Sequence, residues 1–293
     1  MMAPVRSLPT RVAAWRSGGR LLSVRGADIF VVDRSGPGGV PIVILHGFPG
    51  SSFDWSAVVP RLAEHRRVIA LDLLGYGLSA KPQHGYSLFA QADLVLGVLD
   101  ALDVSRCVLV AHDMGDTVAA ELLHRHNAEA CPVAFEQLVL TNGSIFIDMA
   151  HFTRGQRLAL AMPDRCLPLA TPEWVLRHSL AESFAPASPP PAGALKEMAA
   201  LIKHSGGARL LPVQIRYLHE RREHQSRWTG ALVGFRGPMV AVWGELDPIA
   251  VVSMPHRLKA LRPGTEVITW PDTGHWPSIE QPERLTAAIT SRL

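Results

Sequence analysis

Cysteine and tyrosine are scarce in this 293-residue chain, at three each, and long apolar runs are missing. The cysteines, Cys107, Cys131 and Cys166, are odd in number and lie at no metal-ligand spacing. Neither a disulfide framework nor a thiolate metal site is expected, and a reducing compartment is. No stretch approaches the roughly 18 consecutive apolar residues that a membrane-crossing helix needs. The opening MMAPVRSLPTRVAAWRSGG carries charge but lacks the apolar centre of a signal peptide. A cytoplasmic protein is therefore expected. Charge of one sign is also lacking: 29 basic against 26 acidic residues leave a net charge of +3 and a pI of about 9.0. The basic residues are scattered and form no block, which speaks against a nucleic-acid partner.

What is present is enough for a substantial core, with 47% hydrophobic and 19% charged residues. RLLSVRGADIFVVDRSGPGG predicts an N-terminal pair of strands. VPIVILHG, RRVIALDLLGYG, RCVLVAHD and FEQLVLTNG are short apolar runs of the kind that form strands buried on both faces. Between them, YSLFAQADLVLGVLDALDV has helical periodicity, with Leu88, Ala92, Val95, Leu99 and Leu102 near one face. Strands alternating with helices predict an α/β fold with a mostly parallel sheet covered on both sides. The rhythm breaks over residues 144–229, which hold helical patches and the proline-rich connector APASPPPAG, and resumes with GPMVAVWGELDP and TEVITWPDTGHW. A core of residues 1–143 and 230–293 with a helical cap at 144–229 is expected.

Ligands of open parallel sheets bind at the carboxyl ends of the strands. The polar residues expected there are His46, Asp113, Asp247 and His275. Ala111-His112-Asp113-Met114-Gly115 fits a nucleophile elbow, a strand-to-helix turn so tight that small residues flank the reagent. An aspartate N-cap is the plainer alternative; the order Asp113, Asp247, His275 favours a catalytic triad, with His275 as base and Asp247 as its orienting acid. Glu245 is the rival acid. The loop His46-Gly47-Phe48-Pro49 and the residue after the nucleophile predict an oxyanion hole made by the N–H groups of Phe48 and Met114.

An aspartate at the elbow also selects the bond to be broken. A serine oxygen attacking a saturated carbon leaves a stable ether, whereas a carboxylate leaves an alkyl ester that water can cleave. Carbon–oxygen in a strained ring and carbon–halogen are the bonds that suit it.

HGFPGSSFDW, DLLGYGLSAKP, AHDMG, GELDP and TGHW together resemble the α/β-hydrolases of the epoxide hydrolase and haloalkane dehalogenase group. ILHGFPGSSFDW, HDMGDTVAAELLHR, LTNGSIF and RWTGAL are closer still to the mesoderm-specific transcript-like hydrolases. The resemblance implies a hydrolase without cofactor or metal that acts on a small apolar epoxide-like substrate and water. It also implies that Tyr217 is a cap tyrosine protonating the opening ring. The family's other cap tyrosine has no counterpart in 144–216; either a histidine such as His151 substitutes for it or one acid suffices. Met114 stands where those enzymes carry a tryptophan that helps to hold a halide, and a thioether has no hydrogen to donate. Haloalkane dehalogenation is thus the second reading, and a ligand-binding member without turnover the third. His46, Pro49, Trp55, His112, His151 and Trp276 are the expected pocket lining.

Two clusters are discounted. The histidines of HERREH, residues 219–224, are five apart and do not share a helical face as in H-E-x-x-H, so an exposed charged helix is expected there. His124 and His126 splay apart on a helix. The methionines Met149, Met162 and Met198 are read as packing, with some at the pocket.

Overall fold

The computed structural model describes residues 8–165, 167 and 170–293, so Cys166 lies outside the described residues. Its eight strands are β1 (Arg20–Val24), β2 (Ala27–Arg34), β3 (Ile42–Leu45), β4 (Val68–Leu71), β5 (Arg106–His112), β6 (Ala134–Thr141), β7 (Met239–Gly244) and β8 (Thr265–Trp270). They form one sheet in the order β1-β2-β4-β3-β5-β6-β7-β8. β1 and β2 pair antiparallel through a two-residue turn in which Arg25 and Gly26 both have positive φ, a geometry that matches strand twist. β2 also meets β4 antiparallel. All later neighbours are parallel. β3, β4 and β7 are buried at every position, which is why their sequences are continuously apolar rather than alternating.

Helices cover both faces. Leu88–Ala101 begins at Ser87, whose hydroxyl accepts the Phe89 N–H, and buries Leu88, Ala92, Val95 and Leu99 as its periodicity predicts. Met114–Asn127 follows β5 directly and is buried along most of its length. The two free cysteines among the described residues, Cys107 and Cys131, belong to this packing.

Between β6 and β7 the described chain contains helices and no strand. The expected junction at 229/230 falls inside the last of these helices, Gln225–Gly234. That helix lies along Met114–Asn127, and Glu121 ties them together. Its buried carboxylate accepts from Arg227 at 2.7 and 3.0 Å, from Trp228 Nε1 at 3.0 Å and from Arg125 at 2.9 Å. Burial alone would raise the Glu121 pKa. The hydrogen bonds from Arg227, Arg125 and Trp228 outweigh it and hold the group below its ordinary value.

A carboxylate depressed on folding contributes its stability in full above the unfolded value, here 4.5, and loses it as pH falls through the folded value. Glu121→Gln is therefore expected to destabilise the chain by about 2 kcal/mol at neutral pH. The gap to the parent should narrow towards roughly pH 3. Urea titrations at both pH values measure it.

Candidate active site

β5 ends at His112, and the helix Met114–Asn127 starts one residue later, so Asp113 alone makes the turn. It does so at φ +49° and ψ −112°, a conformation that costs a non-glycine residue on the order of 1–3 kcal/mol. Glycine is required on both sides of the joint. A Cβ on Gly115 would lie 2.6 Å from the Leu45 carbonyl oxygen, and one on Gly47 would lie 2.5 Å from Asp113 Cβ. The strain throws the Asp113 side chain over the carboxyl end of the sheet, where it is buried. Oδ2 accepts the Phe48 N–H at 2.8 Å. Oδ1 has no hydrogen-bond partner among the described residues. The Met114 N–H opens the helix, where the first amides have no intrahelical acceptor.

His275 stands in the loop after β8. Its Nδ1 is 2.8 Å from Asp247 Oδ2, so Nδ1–H donates to the carboxylate and Nε2 is left bare. Asp247 follows β7 and is fixed from three further directions: the N–H groups of Ile249 and Ala250 bind Oδ1, and Asn142 Nδ2 binds Oδ2 at 2.7 Å. Glu245 is exposed and takes no part. Burial would lower the His275 pKa, but the charge and hydrogen bond of Asp247, with Asp113 and Glu280 beyond, raise it above the ordinary histidine value.

Tyr217 is buried against Phe48, with ring centroids 5.8 Å apart. Burial, and then the charge of Asp113, push its hydroxyl pKa well up, so it holds its proton. Tyr76 approaches from the core: its ring packs on His46 and Phe48, and its hydroxyl donates to Met114 Sδ at 3.5 Å. This contact gives the thioether at position 114 a partner.

A cleft of about 820 Å³, counting its open mouth, runs from Phe48, Pro49, His275 and Trp276 between the helices of the insert. Its walls are mainly aliphatic, with Leu158, Met162, Val175, Leu176 and Leu211 prominent. Met198 instead packs in the cluster of Leu176, Leu180 and Trp276. Of the residues expected to line the pocket, Pro49 and Trp276 do so, and four do not. His46 is a buried brace, with Nδ1–H on the Gly47 carbonyl at 2.8 Å and Nε2 accepting from Leu73 at 2.9 Å. Trp55 is wholly enclosed in the apolar cluster on the other side of the sheet, at the end of a short 3₁₀ turn, Ser52–Trp55, that is buried at every position. His112 lies behind His275, with ring centroids 4.9 Å apart, and bonds the Thr141 carbonyl. Burial and the neighbouring His275 bring its pKa down to about 4. His151 is exposed at the start of the insert and does not reach the cleft.

Three further residues act on the site. Asn142 follows the apolar run of β6, the same signal that marks Asp247 and His275, and its amide bridges Asp247 to the Gly244 and Gly274 carbonyls. Glu280 accepts from the N–H groups of Gly274, Trp276 and Ala185, which holds the His275 loop to the insert. Arg221 corrects the expectation of an exposed charged helix at 219–224: it is buried, donating to Thr117 Oγ1 at 2.8 Å and to the Asp113 carbonyl at 3.3 Å. One turn past Tyr217, it shares that residue's inward face.

A buried acid on a strand–helix turn, with a histidine and a second acid at the carboxyl edge of a mostly parallel sheet, defines the α/β-hydrolase class. The chain belongs to that family: the model of the alpha/beta hydrolase fold matches residues 40–282. LipZ of Mycobacterium tuberculosis, named as a hydrolase, is 36% identical over 284 residues, covering 96% of this chain and 98% of that protein. The human mesoderm-specific transcript homolog protein is 34% identical, covering 95% and 87%. Among solved structures, an alpha/beta hydrolase fold protein from Burkholderia ambifaria superposes with a TM-score of 0.75 at 26% identity, over 93% of this chain and 97% of that one. The protein is a hydrolase of the α/β type.

Removing the Asp247 charge should lower the His275 pKa, since that charge and hydrogen bond are what raise it. The NMR titration of the His275 ring in Asp247→Asn checks this; an unmoved midpoint would mean that Asp247 does not govern the ring.

Proposed function

We propose that the protein hydrolyses an apolar epoxide to a vicinal diol through an alkyl ester on Asp113. The observation that carries this reading is the division of labour within one carboxylate: Oδ2 is held by the Phe48 N–H while Oδ1 is unpartnered. A buried oxygen with no donor is desolvated and ready to form a bond.

Oδ1 attacks a ring carbon, the ring carbon–oxygen bond breaks, and the departing oxygen takes the proton of Tyr217. A positioned acid of this kind contributes typically 10²–10⁴ in rate. His275 Nε2 then takes a proton from water, and the hydroxide adds to the Asp113 carbonyl carbon. The negative charge falls on Oδ2, facing the Phe48 N–H and the first helical amide at Met114. Collapse expels the second product oxygen, which takes the proton from His275, and the new carboxylic acid returns its proton to the Tyr217 phenolate. Asp247 stabilises the imidazolium in between. The aliphatic cleft walls favour a substrate with an apolar body. Met114 offers no hydrogen to a halide and already accepts from Tyr76, which disfavours the haloalkane reading.

His275→Gln should stall the cycle after the first step. Incubated with an epoxide panel, it is expected to gain the mass of one substrate on Asp113, while Asp113→Ala gains nothing and forms no diol. A single turnover of the parent in heavy-oxygen water should place label in Asp113 first. Label appearing only in product, or no adduct with any epoxide, would overturn the reading. As pH falls through the raised His275 value the base is protonated, so kcat/KM should decline on the acid side with a midpoint above 6.5.

A further inference from the structure

The outer wall of the cleft is a helical hairpin. Arg154–Ala161 and Glu173–Ala181 are successive helices of the insert, and Gly155 backs directly onto Ser179. The two helices therefore run antiparallel, and Leu158 of the first and Val175 of the second line the same cleft. The tip of the hairpin is oddly apolar. Trp174 is 73% exposed, the most of any large apolar side chain among the described residues, and Leu158 is 55% exposed although it also lines the cleft.

The charges around this tip are one-sided. Arg154, Arg157, Arg165 and Arg177 are exposed, and none forms an ion pair among the described residues. The acidic side chains of the same stretch, Asp164 and Glu173, lie beside Arg216 and Lys203. Four free cations thus lie along the same hairpin as an exposed indole and leucine, the leucine at the mouth of an aliphatic cleft.

We propose that this hairpin tip docks the protein on an anionic lipid bilayer, with Trp174 and Leu158 entering the interface and the four arginines meeting lipid headgroups. Indole rings settle at the headgroup level, and unpaired arginines add attraction to anionic leaflets. The cleft mouth then faces the phase in which apolar substrates concentrate. The docking is peripheral, since no described helix is long and apolar enough to cross a membrane. It needs no turnover, so it stands or falls separately from the reaction proposed above.

Flotation of the full chain with phosphatidylglycerol–phosphatidylcholine vesicles tests it. The parent and Asp113→Ala are expected to float equally, to remain behind with pure phosphatidylcholine, and to be released by high salt. Each arginine is worth about fivefold in partitioning. Arg157→Glu with Arg177→Glu should therefore lower binding by more than tenfold, and Trp174→Ser by a similar factor. Leu261→Ser, which removes an exposed leucine on a core helix, should change nothing. Failure of the parent to float, or undiminished flotation of the Trp174 and arginine variants, would overturn the proposal. So would a concentration-dependent dimer that the same variants abolish without any vesicle binding, which would assign the patch to a second copy of the chain.

Discussion

Asp113 is a carboxylate withdrawn from water, on a backbone held at positive φ, with a single amide for one of its oxygens. A charge so placed persists only if its surroundings are over-determined. Much of the architecture around it meets that requirement. The parallel strands β3 and β5 bring the Phe48 loop and the elbow side by side, and the glycines at 47 and 115 let the two backbones touch. His46 pins the Phe48 loop to the strand-end turn at Leu73.

The underside of the elbow is as constrained as its face. Asp116, in the first turn of the helix, is buried with neither oxygen in a well-formed hydrogen bond among the described residues. Burial and then the nearby Asp113 raise its pKa well above the ordinary value, which favours the neutral acid. Arg221 reaches the same region from the insert and binds the Asp113 carbonyl. The insert is thus part of the elbow's support as well as the roof of the cleft. Tyr217 and Arg221, four residues apart on one short helix, are both buried, with the guanidinium 5.1 Å from the ring centroid.

The histidine side is built by a different route. Asp247 receives two backbone amides and one side-chain amide before it meets His275, so the acid is locked before the ring is. Glu280, together with Ser183, whose carbonyl accepts the His275 N–H at 2.9 Å and whose hydroxyl accepts from Trp276 Nε1 at 2.7 Å, then clamps the His275 loop between core and insert. Ring orientation and raised basicity both follow from that framework.

The strands, the crossover helix, the sharp turn at Asp113, the strand-end positions of Asp247 and His275 and the helical insert are legible in the sequence because each is a local matter. Period, turn chemistry and strand-end position are properties of neighbours along the chain. The alternation of apolar runs thus determined the sheet, and an aspartate between a buried strand and a helix determined which side chain the turn presents. Tertiary structure alone decided the rest. Arg221 touches Asp113 across 108 residues, and Asn142 touches Asp247 across 105. It also decided that His46 and His112 brace rather than line, that Glu245 points to solvent while Asp247 turns inward, and that a charged segment of the insert buries an arginine. The physical reason is common to all: whether a polar side chain meets water, a ligand or a buried partner depends on elements distant in sequence, and no periodicity encodes that choice.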